Sequence, residues 1–487
     1  MRGKEGCGIA GIALTQNDAA LPLFYALYAL QHRGQDSAGI AVFSSNKEGK
    51  GNEISARKDD IQLIRGMGFV HEVFDDEQLK SLKGNIGIGH VRYSTTGASK
   101  LENAEPLLVN YKNGKIAIAH NGNLVNTAEL GRELEREGRI FHSDTDTEII
   151  AQLLAKELTR HDPIEAIKEL MKRVIGSYSL VILMDNMLIA VRDPLGIKPL
   201  CLGEIKDEKE GIGEGYIIAS ESTVIDLLGG KLIRDVRPGE VLMINNENLE
   251  SFQLYKGVNT AHCVFEYIYF ARADSILDGK LVYDVRREIG ERLAGEHCVE
   301  ADIVSPVPDS GITFAIGYAR QAGLDYIEGF IKNRYVGRTF IMPEKSSRDT
   351  AVRLKLNVVR ANVVGKRVVL VDDSIVRGTT SRRIVAHLKN NGAKEVHLRV
   401  GSPPITAPCY LGINTPTRAE LLASNRTMDE TCKFLNADSI GYLSLEGLID
   451  SVGMDPNNLC LGCLTGKYPV EIPGEVCIAR QLKLTQF

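Results

Sequence analysis

The hydrophobic pattern of this chain changes character near residue 260. Ahead of that point, apolar runs at Asn85–Arg92, Lys115–His120, Ser179–Val191 and Tyr216–Ser220 predict β-strands, since alternating or short continuous apolar segments fit a pleated, buried surface. Thr127–Glu137 and Thr145–Leu158 carry apolar residues three and four apart and predict amphipathic helices among those strands. Beyond residue 280 helices and strands alternate: Leu281–Glu296, Ala301–Ser305, Ile312–Ala322, Arg367–Val371, Thr380–Lys389 and Glu395–Val400. That alternation implies a parallel sheet whose ligand site lies beyond the carboxyl ends of its strands. The first half therefore reads as α+β and the second as α/β.

Composition narrows the function classes. A chain of 487 residues, 44% hydrophobic and 25% charged, reads as an ordinary globular protein of roughly two to four domains. A net charge of -5 argues against a nucleic-acid partner. No apolar run is long enough to span a membrane and no signal-like segment opens the chain, so no membrane association and a cytoplasmic location are expected. Nine widely spread cysteines, an odd number, point away from a disulfide framework and toward catalysis or metal ligation.

Two segments carry distinct chemistry. Cys7 opens CGIAGI behind a short polar leader, MRGKEG. If residues 1–6 are removed, Cys7 holds both a thiol nucleophile and a free α-amine that can act as its base; the alternative is a small buried apolar cysteine. In the second half, VVLVDDSIVRGTTSRRI runs from a buried strand, Val368–Val371, into paired acids and a small-residue, hydroxyl-rich loop opening a helix. Backbone N–H groups at such a turn suit a phosphate, and Asp372 and Asp373 suit ribose hydroxyls and Mg2+. The alternative is a pair of aspartates that merely cap the helix. Neither a Walker loop nor a G-x-G-x-x-G fingerprint occurs at this turn.

The second segment resembles the phosphoribosyl diphosphate (PRPP) motif of the type I phosphoribosyltransferases. With KNRYVGRTFI (332–341) and FEYIYFARADS (265–275), the chain from Cys7 to about Pro473 resembles the glutamine PRPP amidotransferase family. The resemblance implies that Asp372 and Asp373 bind ribose and Mg2+ and that Ser374, Arg377, Gly378, Thr379 and Thr380 cradle the 5-phosphate. It also implies a basic flap from Lys332 to Arg353, with Lys332, Arg334 and Lys355 among the cations near pyrophosphate, and a coupling role for Tyr269. Gly311 in PVPDSG stands where a hydroxyl residue is expected, which leaves a third protein ligand for Mg2+ in question.

The first half, through CGIAGI, QHRGQDSAGI, GHVRYSTTG, HNGNL and SDTDTE, resembles the N-terminal-nucleophile glutamine amidotransferases. By that resemblance Arg92 pairs with the α-carboxylate of glutamine, Asp146 with its α-ammonium, and Asn121 and Gly122 stabilise the oxyanion. The alternative readings are a surface ion pair for Arg92, a hairpin turn at Asn121–Gly122 and a helix N-terminus at Asp146.

The expected architecture is a propeptide (1–6), an αββα sandwich of the N-terminal-nucleophile hydrolase type (7–260) and a phosphoribosyltransferase domain with a C-terminal cluster-binding segment (261–487). The resemblance implies that Cys263, Cys409, Cys460 and Cys463 hold a [4Fe-4S] cluster, with structural zinc as the alternative for the same four thiolates. Cys201, Cys298, Cys432 and Cys477 read as packing residues. The expected reaction passes ammonia from glutamine to PRPP to give 5-phosphoribosylamine, in a homotetramer inhibited by purine nucleotides. A sugar-isomerase amidotransferase of the same N-terminal type and a nucleotide-binding regulatory protein are the runner-up readings.

Overall fold

The computed structural model describes residues 6–44, 60–93, 99–206, 212–245, 248–256, 259–333, 356–415 and 417–474. Arg334, Lys355, Cys477, most of the expected flap and most of the leader lie outside them.

Residues 8–253 build a seven-stranded and a six-stranded sheet, each antiparallel. In the strand Gly8–Leu14, Ile9 and Ala13 meet Ala117, Ala119, Val181 and Leu183 of the other sheet. The alternate residues Ala10, Ile12 and Leu14 pack on the helix Ala20–Ala29. Across the sandwich, Ile116 and Ile118 pack against the helices Asp146–Glu157 and Pro163–Arg173. The result is four layers, helix–sheet–sheet–helix. Strands covered on both faces are apolar at most positions, which is why they read as runs rather than as alternation.

Two expectations need correction. Ser179–Val191 is a hairpin, Gly176–Met184 and Met187–Arg192, turning at Asp185 (φ 49°) and Asn186; aspartate tolerates the left-handed conformation of a tight turn. The strand expected over Lys115–His120 runs from Gly114 to Leu124, so Asn121 and Gly122 pair with Ser179 and Tyr178 within a ladder and form no turn.

The second half centres on a five-stranded sheet in the order Asp325–Tyr326, Ile303–Pro306, Arg367–Asp372, Glu395–Val400, Ser439–Tyr442, all parallel. Val304, Val369 and Val371 pack on the helices Val282–Glu296 and Ile312–Ala322. Val368, Leu370, Val396 and Leu398 pack on Ile384 and Val385 of the opposite helix, Thr379–Asn390. Helices on both faces permit an all-parallel sheet. Among the described residues no helix is long and apolar enough to cross a membrane.

The halves are joined by buried charge. The Arg192 guanidinium donates to both Asp278 oxygens at 2.8 and 3.1 Å. Arg33 donates to Glu221 at 2.5 Å on its own side and to Glu266 across the junction.

Candidate active sites

Gly8–Leu14 and Ile86–Arg92 are neighbouring strands, with Gly8 opposite Val91. Cys7 at the start of one therefore lies beside Arg92 at the end of the other, both buried. The Cys7 thiol points to the Tyr93 carbonyl, 3.7 Å away. Burial and the Glu105 carboxylate push the thiol up to about 12, against the pull of Arg92. A thiol so disfavoured as thiolate needs an adjacent base to act as a nucleophile at neutral pH.

Asn121 is fully buried, and among the described residues neither its amide nitrogen nor its amide oxygen has a hydrogen-bond partner. A Cβ on Gly6 would stand 3.6 Å from that amide oxygen, so Asn121 lies beside the chain entering Cys7. Gly122 has φ 156°, and a Cβ there would meet the Ser177 carbonyl at 2.0 Å. Only glycine brings the backbone this close. Asp146 begins its helix and accepts the Leu124 N–H at 3.0 Å, two residues beyond Gly122. Arg92, Asn121, Gly122 and Asp146 thus converge around Cys7 from two strands and a helix.

Beneath them lies a buried network that the motifs do not reveal. Glu105 accepts from the His120 N–H at 2.8 Å and from the Thr147 hydroxyl at 2.7 Å. His90 approaches the same carboxylate at 3.5 Å. Burial pushes Glu105 up to about 7 and His90 down to about 3. Sequence offers only a Glu–Pro step between two strands as a signal.

In the second half, Asp372 and Asp373 end the central strand and are buried. The Asp373 N–H donates to the Asp372 carboxylate at 3.0 Å, and the Ser374 hydroxyl donates to Asp373 at 2.6 Å. Gly378, at φ 73°, starts the helix on which Thr379 and Thr380 form the first turn. Arg377 instead pairs with Glu420 at 2.8 Å, on the rim of this loop. Lys332 pairs with Asp309 of the neighbouring loop. At Gly311 a Cβ would stand 2.4 Å from the Val371 carbonyl, so a hydroxyl residue does not fit there. Among the described residues no three His, Cys, Asp or Glu side chains converge as ligands of a single metal ion.

Two family models match the chain, a glutamine amidotransferase domain over residues 90–226 and a phosphoribosyl transferase domain over residues 272–400. The amidophosphoribosyltransferase of Archaeoglobus fulgidus is 55% identical, the alignment covering 97% of this chain and 99% of that protein. That of Bacillus subtilis is 44% identical, covering 96% and 95% respectively. A solved structure of the B. subtilis glutamine PRPP amidotransferase, described as complexed with ADP and GMP, superposes with a TM-score of 0.87 at 44% identity, over 96% of this chain and 98% of that one. The chain belongs to the amidophosphoribosyltransferases.

As an amidophosphoribosyltransferase it is a glutamine amidotransferase and glycosyltransferase acting at the first step of purine synthesis. The four cysteines assigned to a cluster lie at the junction of its two halves. Cys263 pairs with Cys460 in a short parallel ladder, and Cys460 and Cys463 flank the start of a helical turn. Cys263, Cys460 and Cys463 are buried and Cys409 is half-buried. All four interact electrostatically with one another, and burial raises every one of these thiols.

Tyr269 sits in a single π-helical turn, Glu266–Phe270, and is half-buried. With Phe270, Ser374, Ile413 and Cys463 it lines one small cleft, so Tyr269, the loop that follows Asp373 and a candidate cluster ligand share a surface.

Sequence reasoning missed Lys198, Arg33, Glu221 and Glu266, which form a buried charge network between the halves. The available signal was charged residues set among apolar ones, as in GIKPL and CVFEY.

Proposed function

We propose that this amidophosphoribosyltransferase works through Cys7 as an N-terminal nucleophile. Once residues 1–6 are removed, the freed α-amine takes the thiol proton and sulfur attacks the glutamine carboxamide carbon. The oxyanion forms against the Asn121 side-chain amide and the Gly122 N–H, while Arg92 and Asp146 hold the α-carboxylate and α-ammonium. Ammonia leaves, and water then hydrolyses the thioester to glutamate. The observation that carries this reading is the fully buried Asn121 amide, which lacks a partner beside Cys7; a buried amide left unpaired costs about 1–3 kcal/mol, and an oxyanion recovers it.

At the second site ammonia attacks C1 of PRPP and displaces pyrophosphate, giving 5-phosphoribosylamine. Ser374, Gly378, Thr379 and Thr380 would cradle the 5-phosphate, with Arg377 on the rim. Asp372 and Asp373 would accept from the ribose hydroxyls and hold Mg2+, which supplies charge neutralisation to the leaving pyrophosphate. Gly311 adds no third protein ligand to this pair. Lys332, Arg334 and Lys355 would face the pyrophosphate, and Tyr269 would couple the two centres. Excluding water between them protects ammonia and an unstable product.

Cys263, Cys409, Cys460 and Cys463 fit a [4Fe-4S] cluster better than zinc. Four thiols gathered at one junction, each raised by burial and each within electrostatic reach of the others, are the donor set such a cluster takes. The fully buried Lys198 ammonium beside them, without a hydrogen-bond acceptor, also fits an anionic group at that position. The cluster would supply a cross-link between the domain junction and the C-terminal segment, and a point of oxygen sensitivity.

Purine nucleotides are proposed as inhibitors, and a homotetramer as the assembly. Leu21, Tyr25 and Tyr28, exposed along one helix, support an interface between copies.

The decisive experiment is a paired assay under anaerobic conditions. Cys7→Ala abolishes glutamine-dependent phosphoribosylamine formation and leaves the ammonia-dependent rate intact. Intact mass of active enzyme gives a chain lacking residues 1–6; an active preparation retaining them overturns the N-terminal mechanism.

A further inference from the structure

Lys198 is a buried charge that the proposed chemistry leaves unused. Its side chain is fully buried, and among the described residues its ammonium has no hydrogen-bond acceptor. The nearest carboxylate, Glu266, stands 3.6 Å away and already receives Arg33. The ring of Phe270 lies 5.4 Å from the ammonium. Three N–H donors left unsatisfied in a protein interior are costly, so the position calls for an anion. Cys263 and Cys409 both lie within electrostatic range of the ammonium.

Lys198 also lies against the glutaminase centre. A Cβ on Gly6 would stand 3.7 Å from the ammonium, and one on Gly412 would stand 2.9 Å from Cε of Lys198 and 3.1 Å from the backbone of Gly122. Gly412 closes a turn that begins at Cys409, where the Leu411 N–H donates to the Cys409 sulfur at 3.3 Å. That turn is bonded directly to the oxyanion strands: the Asn123 amide donates to the Tyr410 carbonyl at 2.9 Å, and the Ser177 hydroxyl donates to the Leu411 carbonyl at 3.0 Å. One cluster cysteine is thus three residues from a glycine lying against the oxyanion glycine, and the Lys198 stem fills the gap between them.

We propose that Lys198 is a positioning residue that ties the cluster to the glutaminase centre, its ammonium balancing the cluster's charge and its stem supporting Gly412 against Gly122. The inference rests on the cluster reading. It assigns the cluster a second consequence besides cross-linking, since losing the anion frees the Cys409–Gly412 turn and with it the oxyanion strand. Through Gly412 the Lys198 stem bears directly on Gly122, so the glutaminase reaction carries the effect of its charge.

The test compares full-length wild type, Lys198→Met and Lys198→Arg, all prepared without oxygen. Met preserves the packed stem and removes only the charge. Three quantities are read: iron per chain, the rate at which air bleaches the visible absorbance, and glutamine-dependent against ammonia-dependent turnover. Outer-shell partners of metal sites are worth about 10- to 100-fold. Lys198→Met is therefore expected to bleach roughly tenfold faster and to lose glutamine-dependent kcat by roughly tenfold, with ammonia-dependent turnover unchanged and Lys198→Arg recovering most of both. A Met variant with wild-type bleaching and wild-type glutamine turnover overturns the proposal, as does an Arg variant no better than Met. Anaerobic wild type that contains no iron sinks the cluster reading itself, a result visible before any variant is made.

Discussion

Arg33→Met removes the guanidinium that binds the two halves. Arg33 is 1% exposed and faces two buried carboxylates, Glu221 and Glu266. They do not suffer equally. Glu221 keeps His32 at 2.7 Å, the Ser275 hydroxyl at 2.6 Å and the Arg272 N–H at 3.0 Å. Burial works against its charge, yet His32 and Arg33 together hold its carboxyl well below the ordinary range. Among the described residues Glu266 keeps Lys198 at 3.6 Å, too long for a hydrogen bond. Breaking a buried pair by removing one partner costs about 3–5 kcal/mol, and most of that cost falls on Glu266. A loss of about 4 kcal/mol is expected in urea unfolding followed by circular dichroism at pH 8. Arg33→Met/Glu266→Gln recovers at least half of it, because the uncompensated charge is gone. Because Glu266 opens the helical turn that carries Tyr269, the single variant also loses glutamine-dependent synthesis more than ammonia-dependent synthesis. A deficit below about 1 kcal/mol, the range of an exposed pair, or one that the double variant does not reduce, refutes the account.

Gly122→Ala drives a Cβ to 2.0 Å from the Ser177 carbonyl and displaces the oxyanion N–H; glutamine-dependent turnover falls by about 100-fold or more, with the ammonia-dependent rate as the control. Gly311→Ser places a Cβ 2.4 Å from the Val371 carbonyl, next to Asp372; thermal unfolding shows a loss of about 1–3 kcal/mol and the KM for PRPP rises. Burial raises the Glu105 carboxyl from 4.5 to about 7, so between those values the native state binds more protons than the unfolded chain and stability falls as pH rises. The slope amounts to about 3 kcal/mol, and Glu105→Gln abolishes it in unfolding curves taken from pH 4.5 to pH 8.

Local chemistry was legible in the sequence where a short segment supplies a complete device. The phosphate loop is of that kind: strand, paired acids, left-handed glycine and helix start follow one another within a dozen residues, and the turn needs nothing from elsewhere to take shape. The glutaminase residues were legible one by one only through resemblance, since Cys7, Arg92, Asn121 and Asp146 meet by strand pairing between segments far apart in the chain. The reading of Asn121–Gly122 as a turn failed for a related reason. An Asn–Gly pair favours a hairpin by local propensity, but here ladder bonds to Ser179 and Tyr178 on the next strand override it. Burial also hid Glu105, Lys198 and Glu266, because a charged residue in an apolar stretch looks the same whether it points to water or to a partner two hundred residues away.

The placement of these hidden charges bears on how one chain keeps two reactions in step. If the centres communicated only through substrate, the junction could be apolar, and hydrophobic packing would hold it at less energetic risk than buried ions. Instead the junction carries His32, Arg33, Lys198, Glu221, Glu266 and Arg286, all but His32 fully or almost fully buried. Arg286 donates to the carbonyls of Tyr267 and Ala271, which bracket Tyr269, and feels the charge of Asp373 in the phosphate loop. A buried ion network has few satisfied arrangements, because any shift that separates one pair leaves another charge exposed to a low dielectric. Such a network can pass a change at Asp373 to the turn bearing Tyr269, and from Glu266 to Lys198 beside Cys7, without any group moving far. The same stiffness makes the junction the place where loss of a single charge separates the two half-reactions.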